Sequence, residues 1–110
     1  MSELTLTSLD GWRDAIASHP RLLLFKHSPI CPVSLAAREQ WSRFLKEHPD
    51  AVTAEVDVIG ARAAARGLAD ECGVRHESPQ AILFVDGKAT WNTSHHSITV
   101  DNLLGAWSGS

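Results

Sequence analysis

The segment His27-Ser28-Pro29-Ile30-Cys31-Pro32 carries the residue of this chain best suited to chemistry. An apolar run precedes it and a helical pattern follows it. Pro32 fits the first helical position, where a missing N–H costs nothing. Cys31 is thereby predicted at the helix N-cap, where unpaired N–H groups and the helix dipole favour a thiolate. We interpret Cys31 as a reactive nucleophile rather than as a buried apolar cysteine.

Three neighbours of Cys31 are expected to tune it. The Ser34 hydroxyl, three residues further on, can donate a hydrogen bond to the sulfur, and Lys26 and His27 can add positive charge. Ser34 also stands where a C-x-x-C motif would have its second cysteine. Without a thiol there, the natural intermediate is a mixed disulfide with a small thiol, which a second thiol molecule then removes.

Cys72 is the only other cysteine of the chain. It lies on the apolar stripe of a predicted helix, beside a Gly73 cap, where a structural role in the core suffices. A role as a remote resolving thiol stays open.

Hydrophobic periodicity predicts eight elements to position these residues. Helices are expected over 8–18, from Pro32 to about Leu45, over 61–72 and from Thr99 to Trp107, and strands over 21–26, 51–58, 80–85 and 88–93. Asp86-Gly87 is a hairpin signal between the last two strands. This order predicts a single α/β domain over residues 1–110, with a mixed four-stranded sheet and helices on both faces. That layout is the thioredoxin-like fold.

Composition excludes several classes of function. The chain has 110 residues, 44% of them hydrophobic, and a formal net charge of -3, so a compact core is feasible and nucleic-acid binding is not indicated. It contains no apolar run of roughly 20 residues and no secretory signal, so we expect no membrane partner and a cytoplasmic location. A monomer is the default for this size.

Three blocks resemble the monothiol bacilliredoxins, the YtxJ-type proteins of the bacillithiol system. They span most of the chain in the family's order: 25–34 (FKHSPICPVS), 73–81 (GVRHESPQA) and 91–95 (WNTSH), the last followed by Ile98-Thr99. The resemblance implies a cytoplasmic, bacterial thiol–disulfide oxidoreductase of redox homeostasis. It implies bacillithiol as co-substrate, no tightly bound cofactor, and bacillithiolated client proteins as partners. Cys72 is not expected from these blocks.

The resemblance also implies that Pro79 is a cis-proline facing the nucleophile. A cis bond would turn the Ser78 backbone outward, where it could pair with a substrate strand. Lys26 could bind a carboxylate of bacillithiol, which carries a malate, or could be a surface lysine at a strand end. We therefore place the substrate-binding surface on seven residues: Lys26, His27, Pro32, Ser34, Ser78, Pro79 and His95.

Histidines are the other candidate ligands near the predicted site. His27, His76, His95 and His96 fall in loops there, where an imidazole could tune the thiolate or hold the malate. They show no metal-ligand spacing, and we predict no metal site.

The expected reaction is removal of bacillithiol, or a similar small thiol, from protein mixed disulfides through Cys31. Two alternatives remain: an iron–sulfur cluster carrier of the monothiol glutaredoxin type, and a non-catalytic thioredoxin-fold module that binds metal or a partner.

Overall fold

The computed structural model describes residues 3–6, 8–28 and 32–109. Short segments of mostly apolar residues form the strands, and the amphipathic segments between them form the helices. The elements are β1 (Glu3–Leu6), α1 (Leu9–Ser18), β2 (Arg21–His27), α2 (Pro32–Glu47), β3 (Thr53–Asp57), α3 (Arg62–Cys72), β4 (Gln80–Val85), β5 (Lys88–Ser94), a 3₁₀ turn (His95–Ser97) and α4 (Val100–Gly109). All eight predicted elements are present. No described helix is long and apolar enough to cross a membrane.

The strands form one mixed sheet in the order β1-β3-β2-β4-β5. β1 and β2 both pair with β3 in parallel, whereas β4 is antiparallel to β2 and β5 is antiparallel to β4. The fold class is as predicted, but the sheet has five strands rather than four, because β1 adds to the edge beyond β3. Its four residues are too few to show a strand period, so only pairing with β3 defines it.

Each face of the sheet carries its own hydrophobic cluster. On β2, Leu22 and Leu24 pack with α1 and α3, while Leu23 and Phe25 pack with α2 and α4. This alternation is the two-residue period of a strand buried on both faces. Trp41 of α2, which is fully buried, stacks on Phe25 with ring centroids 4.9 Å apart.

Side chains cap two of the helices, and the predicted Gly73 cap and Asp86-Gly87 turn are confirmed. The Ser8 side chain accepts a hydrogen bond from Gly11 N–H at the start of α1, and Thr99 Oγ1 accepts one from Asn102 N–H in α4. Gly73 ends α3 in the left-handed conformation, with φ of 73°. Asp86 and Gly87 both have positive φ, as a type I′ hairpin turn between β4 and β5 requires.

Candidate active site

The predicted nucleophile falls, in the sequence, between β2 and α2. β2 ends at His27 and α2 begins at Pro32, one residue after Cys31 in the sequence. Cys31 itself, with residues 29 and 30, lies outside the described residues. The first backbone N–H groups of a helix lack partners within it, and they carry the positive end of the dipole. An anion at this junction is therefore favoured.

Ser34 connects the two ends of this junction. Its Oγ accepts a hydrogen bond from the Ser28 N–H at 3.0 Å, and only 1% of the residue is exposed. The bond uses a lone pair, so the hydroxyl proton is still available to a second acceptor. The predicted donation from Ser34 to the Cys31 sulfur is compatible with this geometry and stays a prediction. Pro32, the first residue of α2, is exposed.

The loop before β4 carries the second part of the predicted site. The Ser78–Pro79 peptide bond is cis, and Pro79 is buried. The Pro79 carbonyl accepts a hydrogen bond from His95 N–H at 3.0 Å, so the structure brings His95 to this loop as expected. Ser78 Oγ is buried and has no hydrogen-bond partner among the described residues. The roles assigned to Ser78, Pro79 and His95 in substrate binding stay predictions.

Lys26 holds the loop from inside the protein. Its ammonium is fully buried and donates a hydrogen bond to Gln80 Oε1 at 3.0 Å. The same oxygen accepts from Glu77 N–H at 3.4 Å, and Gln80 Nε2 donates to the Arg75 carbonyl at 3.0 Å. Ser94 Oγ then joins β5 by donating to Glu77 Oε2 at 2.8 Å. Lys26 and Gln80 are thus positioning residues for the cis-proline loop.

The buried environment of Lys26 changes its chemistry. Burial lowers the pKa of the ammonium to about 8, against the opposing influence of Cys72 and Glu77. The alternative of a surface lysine at a strand end is therefore wrong. A direct contact with a ligand carboxylate is also disfavoured by this geometry, because the ammonium is enclosed and already donates to Gln80.

His27 belongs to a charged cluster with α2 and β3. Its Nε2 lies 3.4 Å from Glu55 Oε1 and 3.2 Å from Arg38 Nη1, and Arg38 donates to the same Glu55 oxygen at 2.9 Å. Its ring also stacks on Phe25, with centroids 5.3 Å apart. Glu55 is only 8% exposed, so its carboxylate needs close polar partners, and Arg38 supplies the opposite charge. The cluster orients His27 at the end of β2.

Cys72 is the last residue of α3 and is partly buried against the α1–α3 side of the core. Its sulfur lies 3.9 Å from the Ala69 carbonyl oxygen. This position agrees with the predicted structural role. A role as a resolving thiol for Cys31, which is outside the described residues, stays a prediction.

Within residues 3–6, 8–28 and 32–109, no group of three or more His, Cys, Asp or Glu side chains is placed to hold a metal ion. His76, in the loop before Ser78, has a pKa lowered by partial burial and by the charges of Lys26 and Arg66.

Sequence reasoning missed Gln80, Glu55 and Arg38 as parts of the site. The sequence could have indicated two of them, because Gln80 and Glu55 are polar residues within strands whose other positions are largely buried. A buried polar group needs a partner, which predicts a contact without naming it. Arg38 lies among exposed helix positions and carried no such signal.

A cysteine that directly precedes a helix in the sequence and a cis-proline loop before β4, on a five-stranded mixed sheet, are typical of thioredoxin-fold thiol–disulfide oxidoreductases. The family model described as "Monothiol bacilliredoxin BrxC" matches residues 4–103. This chain therefore belongs to the monothiol bacilliredoxin family.

Solved structures share the thioredoxin fold of this chain. The chain is 34% identical to a protein described as a candidate oxidoreductase with a thioredoxin fold, covering 96% of this chain and 93% of that one, with a TM-score of 0.88. Mitochondrial thioredoxin 3 from Saccharomyces cerevisiae is 19% identical over 99% of this chain and 96% of its own, with a TM-score of 0.76. A mutant thioredoxin from Halobacterium salinarum is 22% identical over 98% of this chain and 89% of its own, with a TM-score of 0.77. These two thioredoxins show the fold alone.

Proposed function

We propose that this protein removes bacillithiol, or a similar low-molecular-weight thiol, from protein mixed disulfides in the cytoplasm, with Cys31 as its single nucleophile. The observation that supports a monothiol mechanism is the presence of Ser34 in place of a second cysteine. This serine occupies the position of the second cysteine of a dithiol motif, and its hydroxyl oxygen accepts from the Ser28 N–H.

The proposed cycle has two exchanges. The Cys31 thiolate attacks the bacillithiol sulfur of the mixed disulfide, and the client leaves as a thiolate that takes a proton from solvent. A second bacillithiol thiolate then attacks the bacillithiol sulfur bound to Cys31. This step releases oxidised bacillithiol and restores the Cys31 thiolate. The client cysteine is reduced to its thiol while the one incoming bacillithiol is oxidised to the disulfide level, so the electrons balance.

The residues around the junction support the first step. The start of α2 favours the attacking anion, and the Ser34 proton is available to it. The loop of Ser78 and Pro79 offers a backbone edge to the client, held in place by Lys26 and Gln80 beneath it.

The test is the intact mass of the protein after incubation with oxidised bacillithiol, with oxidised glutathione as the comparison. We expect one bacillithiol adduct on the wild type and on Cys72→Ser, none on Cys31→Ser, and little adduct from glutathione. An adduct that survives in Cys31→Ser would contradict the proposal. An internal Cys31–Cys72 disulfide, seen as a loss of two hydrogen atoms, would contradict the monothiol cycle. Purification as a coloured, oxygen-sensitive dimer would instead favour the iron–sulfur carrier.

A further inference from the structure

A groove runs between α3 and the loop that leads into β4. It consists of two cavities of about 690 and 260 Å³, and both have Arg66 and His76 in their walls. The smaller cavity is completed by Val58, Ile59 and Arg62. Arg75 and Val74 line the larger one together with the end of α3.

The groove adjoins both segments that flank the reactive cysteine. Val58 N–H donates to the carbonyl of His27 at 2.9 Å, and His27 is the last residue of β2, four residues before Cys31. His76 lies two residues before Ser78 and its cis-proline. The groove is therefore at the carboxyl ends of the parallel strands β2 and β3, where α/β sheets commonly bind ligands.

The groove concentrates positive charge on a protein whose net charge is -3. Arg62, Arg66 and Arg75 are exposed and make no ion pair within the described part of the chain. By contrast, Arg13 and Arg38 each bind a glutamate. The carboxylate in the lining is Asp70, at the edge of the larger cavity.

His76 lies in the same positive field. Partial burial is the main cause that lowers the pKa of its imidazole, and the positive charges of Lys26 and Arg66 lower it further, against the opposing charge of Glu77. The two positive charges, though not the burial, agree with a groove that favours an anion.

The remaining wall of the smaller cavity is apolar. Val58 and Ile59 line it, and Ile59 is 42% exposed, unusually so for a large aliphatic side chain in this protein. Guanidinium groups bind carboxylates in a planar, two-point geometry. Arginines beside an apolar wall suit a small carbon skeleton that carries carboxylates.

We propose that Arg62, Arg66 and Arg75 form an anion subsite that binds the carboxylates of a small dicarboxylate-bearing thiol while its sulfur reacts at Cys31. This inference rests on the proposed function and deepens it, because it assigns the part of the site that selects the small thiol.

Binding is tested with malate, a dicarboxylate without a thiol, by NMR titration of the reduced wild-type protein. We expect saturable shifts of the Arg66 and His76 backbone amides, and an affinity lower by at least about fivefold in the Arg62→Gln/Arg66→Gln double variant. Arg43→Gln, at an exposed position of α2, is the matched control and should bind malate as the wild type does. Inorganic phosphate at equal ionic strength should bind more weakly. Equal binding of phosphate, or equal loss in Arg43→Gln, would overturn the subsite.

A kinetic comparison distinguishes failure of the anion subsite from failure of thiol exchange at Cys31. Two rate constants are measured, one with a bacillithiol mixed disulfide and one with the uncharged bis(2-hydroxyethyl) disulfide. The ratio of the first to the second should be at least about fivefold lower in the double variant than in the wild type. An unchanged ratio, with normal adduct formation at Cys31, overturns the subsite alone. Saturable malate binding in a protein that forms no adduct at Cys31 supports the subsite and overturns the exchange function.

Discussion

At the scale of single residues, the position of Lys26 is the least expected feature of the site. A fully buried ammonium replaces an aliphatic side chain at the end of β2, with Gln80 as its hydrogen-bond acceptor. The unfavourable burial of this charge is reflected in its lowered pKa. The hydrogen bonds that run from Lys26 through Gln80 hold the cis-proline loop in place. Functional sites commonly keep such positioning groups at the expense of stability.

The pH dependence of stability tests this account of Lys26. Its pKa falls from 10.5 to about 8 in the folded protein, so between these values the unfolded chain binds more protons. Raising the pH from 7 to 10 should therefore stabilise the wild type relative to Lys26→Met, by up to about 3 kcal/mol. Urea denaturation at the two pH values measures the difference. Lys88→Met, on an exposed residue of β5, should keep the wild-type pH dependence. Parallel pH profiles of wild type and Lys26→Met would contradict a lowered pKa.

At the scale of elements, the junction of β2 and α2 depends on hydrogen bonds that link one element to the next. Ser34 binds the chain just after β2 to the first turn of α2, and Arg38 binds the second turn of α2 to Glu55 of β3. Ser28 and Ser34, on either side of residues 29–31 in the sequence, are thus bonded to each other. These two hydrogen bonds, which we call anchors, fix the start of α2 relative to the ends of β2 and β3.

Ser34→Ala tests the first of these anchors. The substitution leaves the buried Ser28 N–H without its acceptor, so the free energy of unfolding should fall by about 1–3 kcal/mol. Ser42→Ala, on an exposed position of the same helix, should change it by no more than about 0.5 kcal/mol. Urea denaturation of the two variants makes the comparison, and equal losses would argue against the bond to Ser28.

A double-mutant cycle tests the second anchor. Arg38→Met and Glu55→Gln should be non-additive, with a coupling of about 1 kcal/mol, since Glu55 is buried but about half of the Arg38 side chain faces solvent. His27 remains as a second partner of the carboxylate, which keeps the coupling from being larger. Chemical denaturation of the four proteins yields the coupling, and strict additivity would show that the pair contributes nothing to stability.

At the scale of the whole molecule, the central strands connect two cores. β2 and β4 carry side chains of both clusters at alternate positions, so neither core can separate from the sheet without the other. Unfolding is accordingly expected to be a single cooperative event, as is usual for a domain of this size.

Phe84→Ala and Phe44→Ala probe the two cores separately. Phe84 is 1% exposed on the α1–α3 side, and Phe44 is fully buried on the α2–α4 side. Each truncation should cost about 3–5 kcal/mol and leave one transition. Far-UV circular dichroism and tryptophan fluorescence should give the same midpoint in each variant, because Trp12 lies against Phe84 and Trp41 against Phe44. Separate midpoints for the two probes would show that the cores unfold independently.

The local structure around the site follows from the amino-acid sequence alone. The apolar run before Pro32, the amphipathic stripe after it, the Gly73 cap and the Asp86-Gly87 turn depend on nearby residues, and each was confirmed. Local preferences of this kind act within one or two turns, so a sequence pattern reveals them.

Which distant residues meet depends on the tertiary structure. β1 exists because β3 pairs with it, and Lys26 meets Gln80 because β2 and β4 are neighbours. Arg38 meets Glu55 because Glu55 shares with its strand partner Phe25 the face of the sheet that α2 covers. The groove of Arg62, Arg66 and Arg75 likewise arises where α3 meets the loop before β4. These contacts depend on the packing of elements far apart in the chain, and hydrophobic periodicity carries no information about which polar side chains that packing brings together.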